Sequence, residues 1–249
     1  GPTNSVEDII MKSSNVGTIR MALAAGTSAQ KKTLKDLGFF DAVPVELGEA
    51  GRTKPQIPKN WSDTSTITIS FGHGISATPL HLATAYSIVA NGGYRVKPTI
   101  KKINFENLTK EKVISPKTSQ QLISMLRRVV SEVDGTAKMA KVDGYEVAGK
   151  TGTAQGAGNL PWNDSSVFGA FSKDPKQPYS IVAYLEKSGY GSRAAAPVVK
   201  CMYIALAGKY RFDTVNAADP LNTNSSLAAQ PTYLRNPSCL VSGRSESRD

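Results

Sequence analysis

Residues 144–154, Gly144-Tyr145-Glu146-Val147-Ala148-Gly149-Lys150-Thr151-Gly152-Thr153-Ala154, read as a β-strand. Tyr145, Val147, Thr151 and Thr153 fall on one face by strand alternation, and Lys150 emerges on the other. Gly149 and Gly152 are weak strand formers, and a glycine inside a strand marks a close approach by a ligand or another backbone. A cation, two hydroxyls and an uncluttered strand edge suit an anionic peptide end. The lysine offers charge, the hydroxyls offer donors, and edge N–H groups can add a peptide as a further strand. The tripeptide Lys150-Thr151-Gly152 is short, and an ordinary strand end has the same form.

Outward from this strand, two further strands are predicted at 166–172 and 179–186, separated by the turn-forming Lys173-Asp174-Pro175. Their close spacing predicts an antiparallel meander. A helix follows over 195–207, with Val199, Met202, Tyr203 and Leu206 inward. Upstream, Ser115-Pro116 opens a long amphipathic helix through Leu122, Leu126, Val129 and Val133. Thr78-Pro79 opens another, closed by Asn91-Gly92-Gly93. Alternation predicts strands at 66–71 and 99–105. Nearer the start, Ser5-Val6-Glu7-Asp8 has the form of a capping box, and its helix ends near Lys12-Ser13-Ser14-Asn15. A second helix begins there, with Val16, Ile19 and Leu23 on one face, and a third covers 28–37. Residues 39–61 are rich in Pro and Gly and predict an irregular loop.

The 249 residues suffice for one sizeable core, and 40% apolar with 20% charged residues is the balance of a globular protein. No run of 18 apolar residues occurs that would span a membrane. Residues 1–4 resemble a tag scar and linker, 5–213 the folded region, and 214–249, polar and poor in apolar residues, a disordered tail. The net charge of +10 fits a polyanionic neighbour, yet the basic residues are dispersed pairs without interleaved aromatics, so no nucleic-acid platform is predicted. Cys201 and Cys239 have no metal-ligand spacing and make no disulfide framework.

Two patterns now stand in order: Ser13-Ser14-Asn15 at a helix junction, and Lys150-Thr151-Gly152-Thr153 on a strand. This pair of motifs resembles the Ser-x-Asn and Lys-Thr-Gly elements of penicillin-binding proteins and serine β-lactamases. Lys12-Ser13-Ser14-Asn15-Val16-Gly17, Ile69-Ser70-Phe71-Gly72-His73-Gly74, Thr78-Pro79-Leu80-His81-Leu82-Ala83 and Ala148-Gly149-Lys150-Thr151-Gly152-Thr153-Ala154-Gln155 extend it. Together they look like the monofunctional, class B penicillin-binding proteins over about residues 5–210, with a wording nearer the division (septal) enzymes than the elongation ones.

The resemblance implies an α/β (α+β) fold, a central mostly antiparallel sheet flanked by helices on both faces, plus an α-rich lobe. It implies a peptidoglycan D,D-transpeptidase that forms a serine acyl-enzyme on D-Ala-D-Ala stem peptides and is the target of β-lactam antibiotics. It needs no cofactor or metal. Ser13 would relay a proton, Asn15 hold a substrate carbonyl, and Lys150 supply charge to the Ser13 network. Thr151 and Thr153 hydroxyls would bind the terminal carboxylate, with Gly152 between them and the Thr153 N–H in the oxyanion hole. Division-machinery membrane proteins are the implied partners. The implied location is the extracytoplasmic face of the bacterial cytoplasmic membrane, anchored by an upstream helix.

One element departs from the pattern. The family nucleophile lies in a Ser-x-x-Lys motif ahead of Ser-x-Asn, and the only match here, Ser28-Ala29-Gln30-Lys31, comes after it and reads as chance. Residues 5–213 are therefore expected to be the C-terminal part of a penicillin-binding transpeptidase domain, inactive alone, with the nucleophile on an upstream segment or a companion chain. A serine β-lactamase, a D,D-carboxypeptidase or a non-catalytic D-Ala-D-Ala binding module would share the visible motifs. Ser13 and Asn15 each have a simpler reading as helix caps. His73 and His81 stand in no triad context, Trp61 and Trp162 read as core or loop anchors, and Gly189-Tyr190-Gly191 reads as a flexible loop at the cleft border.

Overall fold

Side-chain caps fix most helix starts. The computed structural model describes residues 4–104, 106, 108–142, 145–155, 164–172 and 179–210, with side chains described as far as Leu206. Ser5 caps α1 (Val6–Met11), accepting from the Asp8 N–H while the Asp8 carboxylate reaches back to the Ser5 backbone. Ser14 caps α2 (Asn15–Ala25), Gly26 precedes α3 (Thr27–Asp36), and Ser62 caps α4 (Asp63–Ser70). Thr78 and Pro79 start α5 (Pro79–Ala90), and Ser115 and Pro116 start α6 (Pro116–Ser131). Among the described residues the strands are β1 (Tyr94–Val96), β2 (Lys110–Lys112), β3 (Val147–Ala154), β4 (Ser165–Ser172) and β5 (Ser180–Leu185). The last described helix is α7 (Ala195–Tyr210). The expected tag scar (save Asn4), the turn at 173–175, Trp162, Cys239 and the tail from 214 lie outside the described residues.

β3, β4 and β5 form the antiparallel meander read from the sequence, in that order, with Val147 opposite Ser172 and Thr153 opposite Ser166. One sheet face carries Val147, Phe168, Ala170, Ile181 and Ala183, and packs on Val199, Tyr203 and Ile204 of α7. The other carries Ala148 and Phe171 and packs on Leu126 and Ile123 of α6 and on Tyr86 and Val89 of α5. Phe168 and Phe171 are buried on opposite faces; each such side chain contributes about 1.5–3 kcal/mol. Gly169 has no side chain for a packing reason: a Cβ there would stand 2.1 Å from the Tyr86 ring. Helices α1–α4 form the lobe beside the sheet, joined to it where α1 packs on α6.

Several expectations are corrected. Residues 66–70 of the predicted 66–71 strand belong to α4 and Phe71 is its C-cap, because the Ser62–Ser65 capping box starts a helix and Thr66 and Ile69 share its buried face. The hydroxyls of Thr66 and Thr68 bond carbonyls four residues back, which accommodates β-branched residues in a helix. The described part of 99–105 is irregular, and the pairing falls instead to β1 and β2, with Arg95 opposite Glu111. The supposed inward faces are partly solvent-facing: Val16 is 63% exposed, Leu23 48%, Val133 83% and Met202 44%. Cys201, for which the sequence pointed to no disulfide framework, is disulfide-bonded.

Candidate active site

The chain turns sharply between α1 and α2, and the turn is made by Ser13 at φ 55°, the left-handed region. A non-glycine residue pays of order 1–3 kcal/mol to sit there. Its neighbour Ser14, not Ser13, caps α2, with Oγ accepting from the Gly17 N–H at 3.2 Å. The Ser13 hydroxyl is thereby left out of the helix cap and free to meet a side chain from β3. Asn15 is the first residue of α2 and is exposed, with no side-chain hydrogen bond among the described residues. Neither Ser13 nor Asn15 is the helix cap.

Lys150 projects from β3 toward this turn. Its Nζ donates to Ser13 Oγ at 2.7 Å, joining residues 137 apart in the chain, and to the Thr151 carbonyl at 3.0 Å. Burial pushes its amine down to about 8 from 10.5. No carboxylate among the described residues lies within ion-pair distance of it. A half-buried ammonium with hydroxyl and carbonyl acceptors, and no counter-ion among the described residues, attracts an anion.

Among the described residues no strand pairs with the outer edge of β3. Among the described residues β3 pairs only with β4, and the carbonyls of Val147 and Thr151 accept from Arg127 and Lys150. Those residues therefore face away from β4, and by antiparallel alternation so do Gly149 and Thr153. The Thr153 N–H lies on that outer edge, with no backbone partner among the described residues. Gly149 is tightly boxed, since a Cβ would stand 2.5 Å from the Gly169 carbonyl oxygen.

Two contacts at this edge were not visible in the motifs. Thr151 Oγ1 donates to Thr136 Oγ1 at 3.1 Å, and the Gly191 N–H donates to Thr153 Oγ1 at 3.1 Å. Gly191 presses on the strand so closely that a Cβ would lie 2.4 Å from the Gly152 carbonyl oxygen. The 189–191 loop thus borders Gly152 and Thr153. The glycines and the Gly135-Thr136-Ala137 run were the only sequence signals for these contacts.

The remaining candidates lie elsewhere. Ser28 is exposed on α3 and the Lys31 amine sits over the Trp61 ring at 5.5 Å, so Ser28-x-x-Lys31 forms no site with Lys150. Trp61 anchors its loop, donating from Nε1 to Gln30 at 3.2 Å and lying against Phe40. His81 is buried, with Nε2 bonded to the Asp41 carbonyl at 2.9 Å and Nδ1 to the Thr78 hydroxyl at 2.7 Å. His73 is exposed against Phe71. Neither histidine meets Ser13 or Lys150 in a hydrogen bond.

Comparison with known proteins gives one family. The family model described as the penicillin binding protein transpeptidase domain matches residues 1–203. Penicillin-binding protein PbpB of Mycolicibacterium smegmatis is 40% identical over 159 residues, 58% of this chain and 24% of that protein. The peptidoglycan D,D-transpeptidase FtsI of Escherichia coli K12 is 34% identical over 151 residues, 60% of this chain and 25% of that protein. Among solved structures, the TP domain of Burkholderia pseudomallei penicillin-binding protein 3 aligns with a TM-score of 0.76 at 29% identity, covering 85% of this chain and 66% of that one. Penicillin-binding protein 3 of Mycobacterium tuberculosis, complexed with ampicillin, aligns at 0.70 and 26% identity, covering 89% of this chain and 55% of that one. The chain spans about a quarter of the length of these two curated relatives.

Proposed function

We propose that this chain, which belongs to the penicillin-binding protein transpeptidase domain family, supplies one wall of a peptidoglycan D,D-transpeptidase site of the division type. The carrying observation is the 2.7 Å bond from Lys150 Nζ to Ser13 Oγ beside the outer edge of β3. In this reading the terminal carboxylate of a D-Ala-D-Ala stem peptide docks at the Lys150 end of that edge. The Thr151 and Thr153 hydroxyls donate to it, and the peptide lies along β3 as an added strand. Gly152 keeps the approach clear.

A serine from a Ser-x-x-Lys element, carried on an upstream segment or a companion chain, attacks the carbonyl between the two D-alanines while the lysine of that element takes its hydroxyl proton. The Thr153 N–H faces the developing oxyanion, a contribution of about 3–4 kcal/mol in comparable sites. As the tetrahedral intermediate collapses, the C–N bond breaks and the Ser13 hydroxyl passes a proton to the departing D-alanine amine. Asn15 holds the carbonyl of the preceding residue. Lys150 keeps the Ser13 hydroxyl oriented, and its lowered proton affinity lets it exchange a proton with that hydroxyl near neutral pH. An amine of a neighbouring stem peptide then resolves the ester and forms the cross-link.

A β-lactam, shaped like the D-Ala-D-Ala end, would stop at the ester; the ampicillin complex of the M. tuberculosis relative is the supporting parallel. The proposed setting is the extracytoplasmic face of the cytoplasmic membrane, alongside division-machinery membrane proteins, with anchoring by an upstream helix. No described helix is long and apolar enough to cross a membrane. The test is covalent labelling by penicillin once a Ser-x-x-Lys segment is joined to the chain. A long-lived serine-linked adduct is expected; its absence, or rapid hydrolytic turnover of the adduct, would overturn the transpeptidase reading.

A further inference from the structure

Thr136 lies outside every motif, yet the fold holds it firmly against the strand that carries Lys150. After α6 the chain turns on itself, with the Gly135 N–H donating to the Glu132 carbonyl and the Ala137 N–H to the Val129 carbonyl, each at 3.0 Å. Gly135 is pressed on the helix end so closely that a Cβ would stand 2.3 Å from the Val129 carbonyl oxygen. Ala137 is fully buried in the core beneath. Between these two anchored residues the Thr136 hydroxyl meets the Thr151 hydroxyl at 3.1 Å.

We propose that Thr136 is a positioning residue for Thr151, setting the side-chain rotamer from which Thr151 donates to an incoming carboxylate. The inference rests on the reading of Thr151 as a carboxylate ligand. Two hydroxyls hold two protons and can each donate or accept. In the unliganded protein Thr151 donates to Thr136. A carboxylate accepts only, so its arrival turns the Thr151 O–H toward it while Thr136 becomes the donor to Thr151. The pair reverses polarity by rotation of two O–H bonds, with no movement of either side chain. Thr151 is thereby preorganised, and its hydrogen bond to the anion is polarised by the one behind it. Thr136→Ser keeps this relay, whereas the isosteric Thr136→Val removes it.

The test compares the full chain with these two variants by NMR. Without ligand, the Thr151 χ1 couplings are expected to report one rotamer in the parent and in Thr136→Ser, and an average in Thr136→Val. A Thr151 that stays in one rotamer in Thr136→Val overturns the proposal. N-acetyl-D-Ala-D-Ala and its C-terminal amide are then titrated into each protein. Thr136→Val should reduce the carboxylate-over-amide affinity ratio about tenfold, and Thr136→Ser should restore it. An unchanged ratio, or an equal loss for both peptides, would assign Thr136 a merely structural role and overturn the proposal. If the parent chain binds neither peptide while the rotamer result holds, the positioning role stands and the carboxylate-site reading falls.

Discussion

Lys150 Nζ and Ser13 Oγ lie 2.7 Å apart, and this bond ties the β3 edge of the sheet to the turn between α1 and α2. Both ends are sequence motifs, and the fold makes them one group.

Removing the cation tests its role as anion anchor. Lys150→Met should weaken N-acetyl-D-Ala-D-Ala by about tenfold to a hundredfold, since a hydrogen bond to a charged group is worth about 1.5–3 kcal/mol. The uncharged peptide amide should lose much less. Calorimetry on both ligands measures the difference.

The lysine should also leave a pH signature. Its amine titrates near 8 in the folded protein and near 10.5 when exposed. Between these values the unfolded chain binds the extra proton, so stability rises with pH. The cost of burying the charge is fully present below pH 8 and is relieved as pH climbs through 8 toward 10.5. Carboxylate binding runs the other way and weakens above pH 8, as the amine loses its charge. Denaturant midpoints against pH should show a rising limb that Lys150→Met flattens.

Adjacent serines should separate cap from site. Ser14→Ala removes the α2 cap and should lower stability by about 1 kcal/mol. Ser13→Ala leaves that cap intact and should perturb stability less, while removing the side-chain acceptor of Lys150. Paired urea melts and peptide titrations distinguish the two.

Packing at the strand gives a further check. Gly149→Ala would place a methyl 2.5 Å from the Gly169 carbonyl oxygen, a backbone atom that cannot step aside. Destabilisation of about 1–3 kcal/mol is expected from such overpacking. A urea midpoint equal to the parent's would show that the strand has room for the added methyl and would contradict this close packing.

Local chemistry made much of this fold legible. The caps at Ser5, Thr78 and Ser115 and the close spacing of β3–β5 act within a few residues, so sequence pattern alone displays them. The segment Thr66-Ile67-Thr68-Ile69 misled because β-branched alternation is shared by strands and short helices, and the decision came from Ser62 upstream. β1 and β2 are three residues each and largely charged or exposed, so their pairing had no apolar signal. At the candidate site, Ser13 and Lys150 were each readable. Their contact, and those of Thr136 with Thr151 and Gly191 with Thr153, arise from the path of the chain and have no local signature.

The central claim is that a terminal carboxylate docks on the β3 edge beside Ser13. Backbone amide shifts recorded while N-acetyl-D-Ala-D-Ala is titrated into the chain test it most directly. Shifts concentrated at Thr151, Gly152, Thr153 and Ser13, and lost in Lys150→Met, are expected. Saturable shifts mapping away from these residues, or no shifts at millimolar peptide, would contradict it.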